Sequence, residues 1–161
     1  MNYSEFLEKL QLSNFKIVGN SFAFGDFEDW QISFIRLSGR FQQEGKISFV
    51  ICARPIRAKG VEGKTVKEST NPFDYPFKLT LDEVSKDLKY EPKLLNYSLD
   101  HFELNSDWSN VFEAISKTIP EKLKQLGLKG FRKQLQSIKN LGYVEKIWLE
   151  SDDIRCSDKL L

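Results

Sequence analysis

Two runs of alternating residues on either side of a polar loop limit what this chain can fold into. Residues 30–55 read WQISFIRLSGRFQQEGKISFVICARP. In the first run Trp30, Ile32 and Phe34 alternate with Gln31 and Ser33; in the second, Ile47, Phe49 and Ile51 alternate with Ser48, Val50 and Cys52. A strand points successive side chains to opposite faces, so a period of two implies one well-buried face. The β-branched and aromatic residues in both runs suit a pleated surface. The segment between them, residues 38–45, is polar apart from Phe41 and carries a glycine near each end. The stretch therefore reads as an antiparallel hairpin with a long loop, or with strands extending into it. Ile35, Leu37, Val50 and Cys52 imply that the second face is partly covered. Pro55 lacks a backbone donor, so the second strand ends there or runs along an edge.

The rest of the chain adds strands before this hairpin and helices after it. Phe6, Leu7, Leu10 and Leu12 have helical spacing over residues 3–12, with Ser4 as a candidate N-cap and Asn14 as the stop. Residues 15–24, FKIVGNSFAF, read as a strand or bent strand, with Gly19-Asn20 forming a turn or bulge and Gly25-Asp26 opening the next turn. Residues 56–76 hold two glycines and two prolines and form the clearest irregular segment; Lys64–Lys67 alternatively make a short edge strand. Thr80 and Glu83 fit a capping box for a helix from 81 to about 88. Residues 94–99 are ambiguous. Trp108, Val111, Phe112, Ile115 and Ile119 mark a helical stripe capped by Ser106 or Asp107. Pro120 predicts a break or kink, Gly127 a C-terminal cap, and Gly142 the stop of a further helix through Phe131, Leu135, Ile138 and Leu141. Residues 144–149 read as a last strand or short helix. The expected fold is α+β: an antiparallel meander of about four to six strands with helices packed on one face. It comprises a single domain over residues 1–150 and a frayed tail over 151–161.

Function is constrained mainly by what the chain lacks. Its 161 residues include 13 Phe and three Trp, enough to fill one sizeable core. No apolar run approaches membrane-spanning length. Residues 1–10, MNYSEFLEKL, do not resemble a secretory signal. The only cysteines, Cys52 and Cys156, lie far apart and read as a reduced pair in a cytoplasmic protein. One histidine, His101, and no Cys-x-x-Cys exclude the usual zinc sets, and no metal or cofactor is expected. His101, between Asp100 and Phe102, reads as a polar residue on a strand or loop, with a general base oriented by a carboxylate as the sharper alternative. The clusters Asp26/Glu28/Asp29 and Asp152-Asp153 lack calcium-loop spacing and read as solvated surface. Residues 60–65, GVEGKT, place two residues between their glycines, where a phosphate-binding loop needs four.

The net charge is only +1, but it is laid out in blocks. Residues 36–67 hold eight basic residues against two acidic; residues 68–112 hold nine acids against four lysines; residues 113–149 hold eight basic residues against three acids. Within the first block, Arg54, Arg57, Lys59, Lys64 and Lys67 are the candidate binding residues, since a basic loop beside a sheet can contact phosphates. No aromatic side chain interleaves there to stack bases.

The FKIVGNSFAF strand, the hairpin that begins at Trp30, and residues 123–131 (LKQLGLKGF) together resemble a group of small bacterial domains of uncharacterised function. These domains run from an N-terminal helix through an antiparallel meander to C-terminal helices. The resemblance implies an immunity-type protein that binds and neutralises a cognate toxin, with no catalytic residues to transfer. The expectation is a non-enzymatic binding protein with a protein partner. A nucleic-acid-binding module using the 54–67 loop and a carboxylate-dependent enzyme are the alternatives.

Overall fold

The computed structural model describes residues 1–38, 45–58, 68–92 and 97–151. The predicted hairpin is its centre: β3 (Trp30–Leu37) and β4 (Ile47–Pro55) pair antiparallel, with Trp30 opposite Pro55 and Leu37 opposite Ser48. β1 (Lys16–Val18) and β2 (Phe22–Phe27) precede them and extend the meander. Gly19, at φ 62°, turns the chain between β1 and β2. Gly25 and Asp26 lie inside β2 rather than opening a turn; the turn is Glu28-Asp29, closed by the Phe27↔Trp30 pair, with Glu28 at φ 54°. Both residues are instead held in the ladder that runs from Phe22↔Ile35 to Phe27↔Trp30, which their turn-forming tendency alone does not predict.

On its other side β4 is shared by two short strands set end to end. β5 (Phe77–Leu79) pairs with its middle and β6 (Asp100–Phe102) with its start. Among the described residues, the result is a six-stranded antiparallel sheet in an α+β fold. With neighbours on both edges and side chains on both faces, all nine residues of β4 are buried.

Helices close one face. α1 (Tyr3–Leu12) is capped by Asn2, whose Oδ1 accepts from Glu5 N at 2.9 Å, and not by Ser4. Asn14 ends it in the left-handed region, as expected. α2 (Leu81–Val84) has the predicted capping box but is a single turn. α3 (Ser109–Glu113) begins beside Asp107, whose carboxylate accepts from Ser109 N at 3.0 Å. It continues through a π turn (Ala114–Thr118) into α4 (Ile119–Gln136). Pro120 therefore does not break the helical run. The widened turn sits just before it, with Ile119 N–H donating to Ala114 O five residues back. The kink falls at Gly127, at φ 66° and ψ 166°, a conformation essentially open only to glycine. Gly142 starts α5 (Tyr143–Leu149) as its N-cap and does not stop a helix.

The main core lies between these helices and the face bearing Trp30, Ile32, Phe34, Phe49 and Ile51. Aromatic rings dominate it. Trp108, fully buried, lies within 5.3 Å of the rings of Tyr3, Phe6, Phe49 and Phe102. Such tilted and stacked pairs add to the burial of their large apolar area. A second, smaller core covers the opposite face: Phe22, Ile35, Val50, Cys52 and Tyr75, with Phe24, Leu37, Tyr97 and Leu99 packed against it.

Candidate functional site

Strand alternation puts Gln31, Ser33, Cys52 and Arg54 on the second face, and register sets Arg54 opposite Gln31 and Cys52 opposite Ser33. Instead of meeting solvent, these side chains are covered by residues 69–75. Asn71 caps a 3₁₀ turn, Pro72–Asp74, which delivers Tyr75 onto the sheet. The Tyr75 hydroxyl donates to Ser69 O at 2.7 Å and accepts from the Ser33 hydroxyl at 2.8 Å and from Gln31 Nε2 at 3.2 Å. Ser69 in turn donates to the Asp74 carboxylate. Burial raises the Tyr75 hydroxyl well above its usual range and does the same to the Cys52 thiol, so neither is a nucleophile at neutral pH.

Arg54 is fully buried. Its Nε and Nη2 donate to Gln31 Oε1 at 3.3 and 3.2 Å, Nη1 reaches Ala58 O at 3.5 Å, and the guanidinium stacks over the Tyr75 ring at 5.5 Å. Burial lowers its pKa, and the Tyr75, Asp74 and Asp26 charges act from a distance in the opposite direction. Arg54 is thus an internal polar anchor, which corrects its placement on a phosphate-contacting surface: β4 is covered on the side the residue faces. Arg57 is exposed, and Lys59, Lys64 and Lys67 lie outside the described residues. So do the Gly60–Thr65 glycines, the Lys64–Lys67 edge strand, Asp152-Asp153 and Cys156.

His101 sits on β6, and its Nδ1 lies 2.7 Å from Ser48 Oγ. Asp100 points the other way, accepting from Leu81 N at 2.9 Å, so the adjacent carboxylate does not orient the imidazole. Ser48 is completely buried beneath this pair, which makes it a poor nucleophile. A cavity of about 270 Å³ beside it is lined by Lys46, His101, Phe102, Glu103 and Ser106. Among the described residues, no three His, Cys, Asp or Glu side chains gather to hold a metal.

The surface differs from this self-satisfied interior at the β2–β3 turn. Asp26, Phe27, Glu28 and Asp29 are all exposed, Phe27 by 40%. The turn is held at its root by the Phe27↔Trp30 pair and by Ile56 N donating to Asp29 O at 3.0 Å. The sequence shows the acidic cluster but not that it forms the tip of a fully paired hairpin with an aromatic ring among the carboxylates. The covering role of Tyr75 is likewise unmarked, since only the tertiary fold brings its hydroxyl to Ser33, 42 positions away.

No family model, no curated protein and no solved structure matches this chain. No described helix is long and apolar enough to cross a membrane.

Proposed function

We propose that the protein is a cytoplasmic, non-enzymatic binding protein of the immunity type, which engages a basic protein partner through its acidic β2–β3 turn. The observation that carries this reading is the turn itself: three exposed carboxylates flank a partly exposed phenylalanine on a short, fully paired hairpin. Exposed charge of one sign steers association with an oppositely charged surface. An aromatic ring on a rigid support is the usual kind of energetic anchor, because little entropy is lost when it is buried. The burial of Arg54 weighs against the nucleic-acid reading, since it removes the residue that begins the basic run.

The test is a pull-down of the tagged protein from its native lysate, with and without nuclease, at low and high salt. A protein that survives nuclease and is lost on combining Phe27→Ala with Asp26→Asn, Glu28→Gln and Asp29→Asn supports the proposal. Retention undiminished by these four changes overturns it. Recovery of nucleic acid that disappears at high salt returns the assignment to the 54–67 loop.

A further inference from the structure

The second sheet face carries a buried cation, and the segment covering it is held very differently from the helices on the first face. In the covering segment, Ser69 to Asp74 and Asn71 to Phe73 are local bonds. Tyr75 ties it to the sheet, its hydroxyl meeting Gln31 and Ser33 and its carbonyl accepting from Lys78 Nζ at 2.8 Å. Outside the sheet it leans on Tyr97 through Phe73, whose ring is itself 36% exposed. The apolar contact beneath is the five-residue second core, against the far larger first core.

Arg54 tilts the balance further. Its guanidinium is fully buried, yet among the described residues its direct acceptors are a neutral amide and a carbonyl, while the Asp74 and Asp26 carboxylates act on it only from a distance. A buried charge without a paired opposite charge is costly, and that cost is recovered when water reaches it. Loss of the Tyr75 contacts on opening is therefore partly offset by hydration of Arg54. Segments that rest on a small apolar core open below the global unfolding free energy.

We propose that residues 69–75 form a strap that opens as a unit while the helix-covered core stays folded, and that this exposes Arg54 and Cys52 on the second sheet face. In the closed state the strap masks this face. The proposal goes beyond the assignment of the acidic turn and does not depend on it.

Cys52, buried beneath Tyr75 in the same small core, is a built-in probe. In a Cys156→Ser background, labelling of Cys52 by a small thiol reagent is followed under native conditions across low denaturant concentrations. The expected result is labelling with a denaturant dependence well below that of global unfolding. Tyr75→Phe accelerates it about tenfold, the effect of losing one buried hydroxyl's bonds. Ile115→Val, in the helix-side core, lowers global stability but leaves the Cys52 rate unchanged. The proposal is overturned if Ile115→Val accelerates labelling in step with the global loss, about fivefold. It is equally overturned if Tyr75→Phe leaves the rate unaltered, or if Cys52 labels only with the full unfolding slope.

Discussion

Arg54 has the sequence context of a surface residue, beside Pro55 and followed by Arg57 and Lys59. The fold makes it part of the interior because its partner, Gln31, lies 23 positions away and meets it only through β3–β4 register. Arg54→Ala leaves Gln31 Oε1 without its donors and opens a cavity, for an expected loss of about 3 kcal/mol. Arg54→Met keeps most of the volume and removes the buried charge, so it costs less; paired denaturant melts read the difference. Asp107 is the opposite case, an exposed carboxylate that matters through its bonds. The hydroxyl and backbone N–H of Ser109, then the N-terminal ammonium, hold it down to about 2. A carboxyl group depressed in the folded state stabilises above its unfolded value, near 3.9, and that contribution disappears as pH falls through about 2. Asp107→Asn should therefore flatten the acid limb of the stability curve between those values, as thermal melts at stepped pH would show.

Gly127 lets one helical run pack as two. With Leu123 and Phe131 both buried on either side of it, the kink directs both halves of α4 onto the aromatic core. A Cβ at Gly127 would meet nothing within 4 Å, so the penalty for a side chain there is backbone strain alone. Gly127→Ala should cost about 1–3 kcal/mol in a denaturant melt, without any loss of packed volume. The expectation of a cap at this position was close, because the same requirement for positive φ underlies a helix end and a kink. The expected break at Pro120 is absent for a related reason. Proline removes a donor and does not dictate how the chain adapts, and a π turn accommodates it here without breaking the helix. β5 went unrecognised because Phe77-Lys78-Leu79 is too short to show a period; its pairing with residues 51–53 defines it.

Taken together, the two cores make alkali a sharper threat to the molecule than mild acid. Tyr3, Tyr75 and Tyr90 are buried, and burial is the main cause that raises each hydroxyl above its ordinary value. At Tyr90 the Glu145 carboxylate adds to the effect. A phenol whose folded value is raised contributes stability that is complete below the unfolded value, near 10, and is lost as pH rises toward the folded one. Each such tyrosine steepens the loss by up to about 1.4 kcal/mol per pH unit above 10. Guanidinium melts between pH 8 and 11 should show a plateau and then a steep decline. A flat profile would mean that these rings are more open to water than their burial implies.

Local chemistry is enough to place the central hairpin, the α1 stop at Asn14, the capping box at Thr80 and the helical stripe from Trp108 to Ile119. These features depend on neighbours a few residues apart: side-chain alternation, cap hydrogen bonds and apolar spacing. Whether Arg54, Ser48 and Tyr75 face water or protein has no such local signature. Their surroundings are set by strand register and by a covering segment more than ten residues away along the chain. The meaning of the acidic turn also depends on that assembly, since only a fully paired hairpin turns a run of carboxylates into a fixed surface with a phenylalanine at its centre.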